Sequence, residues 1–202
     1  MDTFKYTRTG ITFVYIGLVL SILPIFAFPL AAVLRAVPLL LAIPALLIAA
    51  SLLSMIGRIL CLSVPKEVGA MGLIYAAVVC DVSSLFAAVS RMIPGLPNFS
   101  GFSGLLSVAA IVLFLIFLEK LALFINDSES AARASSLLNV GIGLVLILVS
   151  MIVLPLLSLQ AFAFGPVIAA PVLMLVGLIL YARLLSGLRK SLGVVEAPTG
   201  RV

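Results

Sequence analysis

The sequence predicts an all-α protein: a polytopic integral membrane helical bundle of about six transmembrane helices, forming one transmembrane domain over 1–202. Three observations predict it. Hydrophobic residues make up 64% of the chain and charged residues only 9%, where soluble domains run near a quarter charged. The mean hydropathy is +1.42, so the polar side chains are too few to cover a water-facing surface and the surrounding solvent must be largely hydrocarbon. The apolar residues also fall into six windows, each near the roughly 20 residues that a membrane crossing requires.

The first window, 11–33, follows Lys5 and Arg8. It is much longer than the apolar part of a secretory signal and no small-residue cleavage site precedes the next window, so it is expected to be retained. The second, 37–62, begins after the turn Arg35-Ala36, flanked by Pro29 and Pro38. Proline in a first helical turn removes an N–H that has no partner there. An alternative ends the first span near Pro29 and lets the next segment dip back shallowly. The third window, 69–93, runs into the segment from Ile93 to Gly101, whose prolines and glycines cannot continue a helix. Asn98-Phe99-Ser100 matches the glycosylation pattern, and chance is the better account of so short a match. The fourth window is 104–125. The polar stretch Asn126 to Arg133 reads as a solvated turn or a short surface helix before the fifth, 137–159, and the sixth, 166–188. Pro24, Pro44 and Pro155 lie inside windows and should kink their helices. The tail, 193–202, contains Pro, Thr and Gly and is expected to be disordered.

Ile16-Gly17-Leu18-Val19-Leu20 recurs as Ile142-Gly143-Leu144-Val145-Leu146. In both places a second apolar run follows and ends at a basic residue, Arg58 or Arg183. Two readings stand side by side: a parallel duplication of a two-helix hairpin, or coincidence in an apolar alphabet. A parallel repeat would differ from the inverted repeats common in secondary transporters.

Several segments carry a wider likeness. They are Thr9-Gly10-Ile11-Thr12-Phe13-Val14-Tyr15, Gly57-Arg58-Ile59-Leu60-Cys61-Leu62-Ser63-Val64-Pro65, Gly69-Ala70-Met71-Gly72-Leu73-Ile74 and Leu115-Ile116-Phe117-Leu118-Glu119-Lys120-Leu121-Ala122. In these the chain resembles uncharacterised multi-span membrane proteins of planctomycete-type bacteria. The resemblance implies a bacterial membrane protein and no particular activity.

The net charge of +5 comes from basic residues dispersed among apolar windows. With no basic patch and no aromatic platform, no nucleic-acid partner is expected, and the charge reads as topology-setting. With six spans, ten of the twelve Lys and Arg fall on the side of the N-terminus and only Arg35 and Arg91 on the other. Basic flanks stay inside, so both termini are expected to be cytoplasmic, in a multi-pass protein of an inner or plasma membrane.

Little enzymatic chemistry is on offer. Histidine is absent and the only cysteines are Cys61 and Cys80, which rules out histidine catalysis and the usual zinc sets. The cysteines fall at different expected depths, so no disulfide is expected between them. There is no phosphate loop, nucleophile elbow or paired-cysteine motif, and the seven acidic residues are scattered. No enzyme, cofactor or metal is expected.

Three polar or small-residue constellations remain. Gly69, Gly72, Ala76, Cys80, Ser83, Ala87 and Ser90 recur at steps of three or four, which reads as a helix-packing face because small residues let backbones approach in lipid. A pore lining is the weaker reading, since Gly and Ala offer a solute no ligands. Arg58, Glu119, Lys120 and Arg183 lie one to two turns from the inner ends of their windows, and Glu119 is expected to meet Arg58 or Arg183 in a cytoplasmic-side ion-pair layer. Snorkelling of the cations is the alternative. Asp81 sits mid-window with nothing in its own helix to neutralise it. It should point into the bundle with Ser84 as a local partner and Ser51, Ser54, Asn139 or Ser150 across the interface.

Two functions fit this set. One is a small structural or assembly subunit acting through helix packing, with the lipid bilayer and itself or other membrane subunits as partners. The alternative is a transporter or channel for an ion or small solute that uses Asp81 near the bilayer midplane.

Overall fold

The computed structural model describes the backbone of residues 4–33, 37–89, 100–156 and 164–196, and the side chains of 4–24, 42–87, 104–143, 146 and 172–194. These residues form six helices: α1 Lys5–Val33, α2 Val37–Leu60, α3 Met71–Val89, α4 Ser100–Phe124, α5 Ser128–Leu156 and α6 Phe164–Glu196. The described chain is helical apart from its connections. Four stretches are long and apolar enough to cross a membrane: Lys5–Pro24, Ala42–Ser63, Gly104–Phe124 and Val172–Val194. Met71–Ala87 is a shorter apolar helix.

One cluster of buried residues organises the bundle. It joins Ile11 and Val14 near the start of α1 to Ile74 and Ala77 early in α3. From the far ends of α4 and α6 it takes Phe114, Phe117, Leu118 and Leu121, and Leu184, Leu185 and Leu188; Ala134 and Leu137 come from early α5. Alternate helices therefore contribute opposite ends to the same core, as an up-and-down bundle requires.

The helices start earlier or run later than the apolar windows. α1 begins at Lys5, α5 at Ser128 rather than 137, and α6 continues through Glu196, so 193–196 are helical rather than disordered. A hydropathy window ends where polar residues begin, but backbone hydrogen bonding propagates past that point at little cost. The stretch from Asn126 to Arg133 is neither loop nor separate surface helix. α4 ends in a Schellman cap, with Asn126 at φ 58° and the Asp127 N–H donating to the Ala122 carbonyl at 2.9 Å. Asp127 then caps α5, its Oδ1 accepting from the Ser130 N–H at 3.0 Å.

The α2–α3 connection is likewise not a solvated loop. Two 3₁₀ turns, Cys61–Ser63 and Lys66–Val68, place Cys61, Val64 and Val68 in the core. Thr7 of α1 is fully buried over them, its hydroxyl 3.4 Å from that of Ser63. Gly69 closes the second turn at φ 65°, a conformation that costs any residue with a Cβ about 1–2 kcal/mol.

The closest helix contact is between α1 and α2. A Cβ on Gly10 would stand 2.4 Å from the Gly57 carbonyl oxygen, and one on Gly57 2.5 Å from the Gly10 carbonyl oxygen. One turn pair further on, a Cβ on Gly17 would meet Ser54 Oγ at 2.4 Å and the Ala50 carbonyl oxygen at 2.8 Å. Backbones approach this closely only across glycine. Among the described residues, the repeat partner Gly143 has nothing within 4 Å of its Cβ position.

Candidate functional site

Arg58 stands two residues before the end of α2 and Asp81 ten residues into α3. Arg58 Nη1 donates to both carboxylate oxygens of Asp81, at 2.6 and 2.5 Å. The arginine is only 8% exposed. Its guanidinium carbon lies 5.0 Å from the Phe114 ring centroid on α4, a cation–π distance, and the Tyr181 hydroxyl of α6 lies beside it. The ion pair thus sits where α2, α3, α4 and α6 meet. Arg58 Nε is buried and makes no hydrogen bond among the described residues, so one donor on the guanidinium is left over.

Beside the pair is a cleft of about 280 Å³, lined by Ser51, Ser54, Ser84 and Ser107 together with Arg58 and Asp81. Ser84 and Ser107 pair across it, hydroxyl to hydroxyl, at 2.7 Å, while Ser51 donates to its own helix at the Ile48 carbonyl, 2.8 Å away. The arrangement can hold a small polar group between hydroxyls and an ion pair. It presents no nucleophile activated by a base.

Of the serines that helical spacing sets near Asp81, Ser51, Ser54 and Ser84 share its cleft. Asn139 is exposed on α5 instead, and the side chain of Ser150 lies outside the described residues. The partner that spacing does not indicate is Arg58. The expected meeting of Glu119 with Arg58 or Arg183 is not formed: Arg58 is taken by Asp81, and among the described residues Glu119 makes no ion pair. Lys120 is exposed, and Arg183 lines a separate polar groove with Asp127, Arg133 and Lys190. The layer does not form because the connection at 61–70 folds into the core and brings α3 alongside Arg58. The only signal in the sequence was that Asp81 and Arg58 lie in consecutive helices.

The expected packing face of α3 is displaced by about one residue. Its buried line is Ala70, Ile74, Ala77 and Ala87, with half-buried Asp81 and Ser84 on the same face. Gly69 lies before the helix, and among the described residues Gly69 and Gly72 both have nothing within 4 Å of their Cβ positions. Ala76, Cys80 and Ser83 are half-buried, and Ser90 lies outside the described residues. Ile74 sits in the shared core, where a large side chain makes many more van der Waals contacts than a glycine does, and close packing of that kind is what holds helices together in lipid. Cys61 and Cys80 are both free thiols.

No protein-family model, curated protein or solved structure matches the chain.

Proposed function

We propose that the chain is a six-span integral membrane protein, with both termini cytoplasmic, that serves as a structural or accessory subunit through helix packing. The observation that carries this reading is the engagement of Asp81. An acid that binds a proton or cation along a transport path must be available to it, and here both carboxylate oxygens are held by Arg58. A buried pair of this kind fixes the register of the helices it joins. The six-span count rests on the six helices and on alternate helix ends meeting in one core. The orientation rests on Lys5, Arg58, Lys66, Lys120, Arg133, Arg183, Arg189 and Lys190 belonging to the helix ends and turns gathered there. The duplicated hairpin is supported by element order alone, since Gly17 and Gly143 have different surroundings.

Native mass after extraction in mild detergent tests the reading. A stable assembly that contains other membrane subunits, or a defined homo-oligomer, is expected. A monomer whose melting temperature responds to a particular solute would overturn it in favour of transport. That second reading has one observation on its side, the serine-lined cleft of about 280 Å³ next to the ion pair.

A further inference from the structure

α5 buries one side and leaves another bare. Ala131, Ala134 and Leu137 join the shared core, and Val140 packs on α6, its Cγ1 3.5 Å from the Cβ position of Gly177. On the other side Ala132, Ser135, Asn139, Ile142 and Leu146 are all exposed, Ile142 by 59% and Leu146 by 65%. These five follow one another at steps of three, four, three and four, the a/d alternation of a coiled-coil seam. Asn139 is the polar member at the centre of that seam. Among the described residues its amide has no hydrogen-bond partner. Its depth follows from its neighbour: Gly177, against which Val140 packs, lies six residues inside Arg183 on α6, or about 9 Å. The apolar cleft that Val140 and Gly177 line reaches Tyr181, which stands beside Arg58. Asn139 therefore presents a carboxamide to hydrocarbon at the level of the Arg58–Asp81 junction, where an unpaired amide is costly.

From this we infer that the outer face of α5 docks on the same face of a second copy of the chain, with the two Asn139 amides hydrogen-bonded to each other. Copies of one chain share their orientation in a bilayer, so the two-fold axis between them runs along the membrane normal and sets each seam residue opposite itself. That geometry asks for a side chain able to pair with its own copy. A carboxamide carries both a donor and an acceptor and can do so, whereas an acid or an amine would repel its copy. The rest of the face is electrically compatible with a parallel copy. No ionisable side chain stands on the seam from Ala132 to Leu146, and the flanking Arg133 is held by Glu129 of its own helix. The small residues Ala132 and Ser135 let the helices approach at one end, Ile142 and Leu146 fill the space at the other, and a single asparagine at an a position fixes the register. The inference rests on the six-span packing reading above and names the partner within it.

Sedimentation equilibrium of the full chain in a density-matched neutral detergent, together with cysteine cross-linking in membranes, tests it. A reversible dimer is expected. Asn139→Leu should raise its dissociation constant about tenfold, while Asn139→Gln, which keeps donor and acceptor, should stay within about threefold of the parent. The Tm of the diluted monomer should be the same for Asn139→Leu and the parent, because the amide serves no contact within the chain; a lower Tm in the variant would overturn the inference. In a Cys80→Ser background, Ser135→Cys and Ile142→Cys should give disulfide-linked dimers under mild oxidation, and Leu175→Cys, exposed on α6, should not. Equal cross-linking at all three positions would mean random collision and overturns the proposal, as does an Asn139→Leu chain that dimerises as tightly as the parent. A complex held by foreign subunits, with Ile142→Cys linking to one of them, overturns the inference and leaves the accessory-subunit reading standing. A monomer that responds to a solute overturns both.

Discussion

At the residue scale the pairing of Arg58 with Asp81 changes what each substitution should do. Asp81→Asn removes the anion and leaves Arg58 enclosed between Phe114, Tyr181 and α3. Breaking a buried pair from one side costs about 3–5 kcal/mol, so a large fall in unfolding free energy in detergent is expected. Arg58→Met should be as damaging, because it strands the carboxylate. Arg58→Met combined with Asp81→Leu removes both charges with similar volume and should recover most of the loss. Additive losses in the double variant would mean that the pair is not the junction's main interaction. A second acid answers to pH. Burial tends to raise the Asp127 carboxyl, but hydrogen bonds from Ser191 and Ser130, together with the Arg133 charge, outweigh it and hold its pKa below the usual value. The folded state therefore favours the carboxylate. This contribution is present above the unfolded pKa of about 3.9 and is lost as pH falls through the lower, folded value. Acid unfolding should show a component below about pH 4 that Asp127→Asn removes, since asparagine caps a helix without titrating there.

At the element scale the α1–α2 contact and the α2–α3 connection carry the specificity. Gly10→Ala and Gly57→Ala place a methyl group against backbone that cannot turn aside, so each should cost about 1–3 kcal/mol, the usual range for overpacking. Gly143→Ala meets nothing among the described residues and should stabilise by up to about 1 kcal/mol through helix propensity. Thermal unfolding of the three variants in one detergent checks the contrast, and a Gly143→Ala loss equal to that of Gly57→Ala would contradict it. This contrast also marks how far the sequence could be read. Helix existence was legible from hydropathy, and all six windows have a helix. The ends were not, because Lys5 to Gly10 and Ser128 to Ser136 are polar yet helical. The side chains facing Asp81 were only half legible. Serines on neighbouring helices follow from spacing, but Arg58 follows only once residues 61–70 are seen to be core rather than loop. Gly10 and Gly57 gave no stripe, since each helix contributes few small residues to the contact.

At the scale of the whole molecule, the gathering of charged helix ends around one core predicts orientation. Reporter fusions after Val202 and within the segment at Asn98 should report opposite compartments, with Val202 inside. An outside signal at Val202 would break either the span count or the positive-inside assignment. The described core lies at one end, and the cleft beside Arg58 and Asp81 borders it. A ligand of the cleft would therefore act on the well-packed half of the bundle.

The four-helix composition of the Arg58–Asp81 junction also has a consequence in time. Arg58 is synthesised first, Asp81 twenty-three residues later, and Phe114 and Tyr181 long after both. Until α3 emerges, α2 carries an uncompensated cation near its end, and α3 alone would carry an uncompensated acid at its centre, where it is disfavoured in hydrocarbon by about 2.5–3.5 kcal/mol. The two helices should leave the translocon together as a neutral hairpin. In a nascent-chain insertion assay, α3 preceded by α2 should integrate more efficiently than α3 alone, and Arg58→Ala in the hairpin should abolish that advantage.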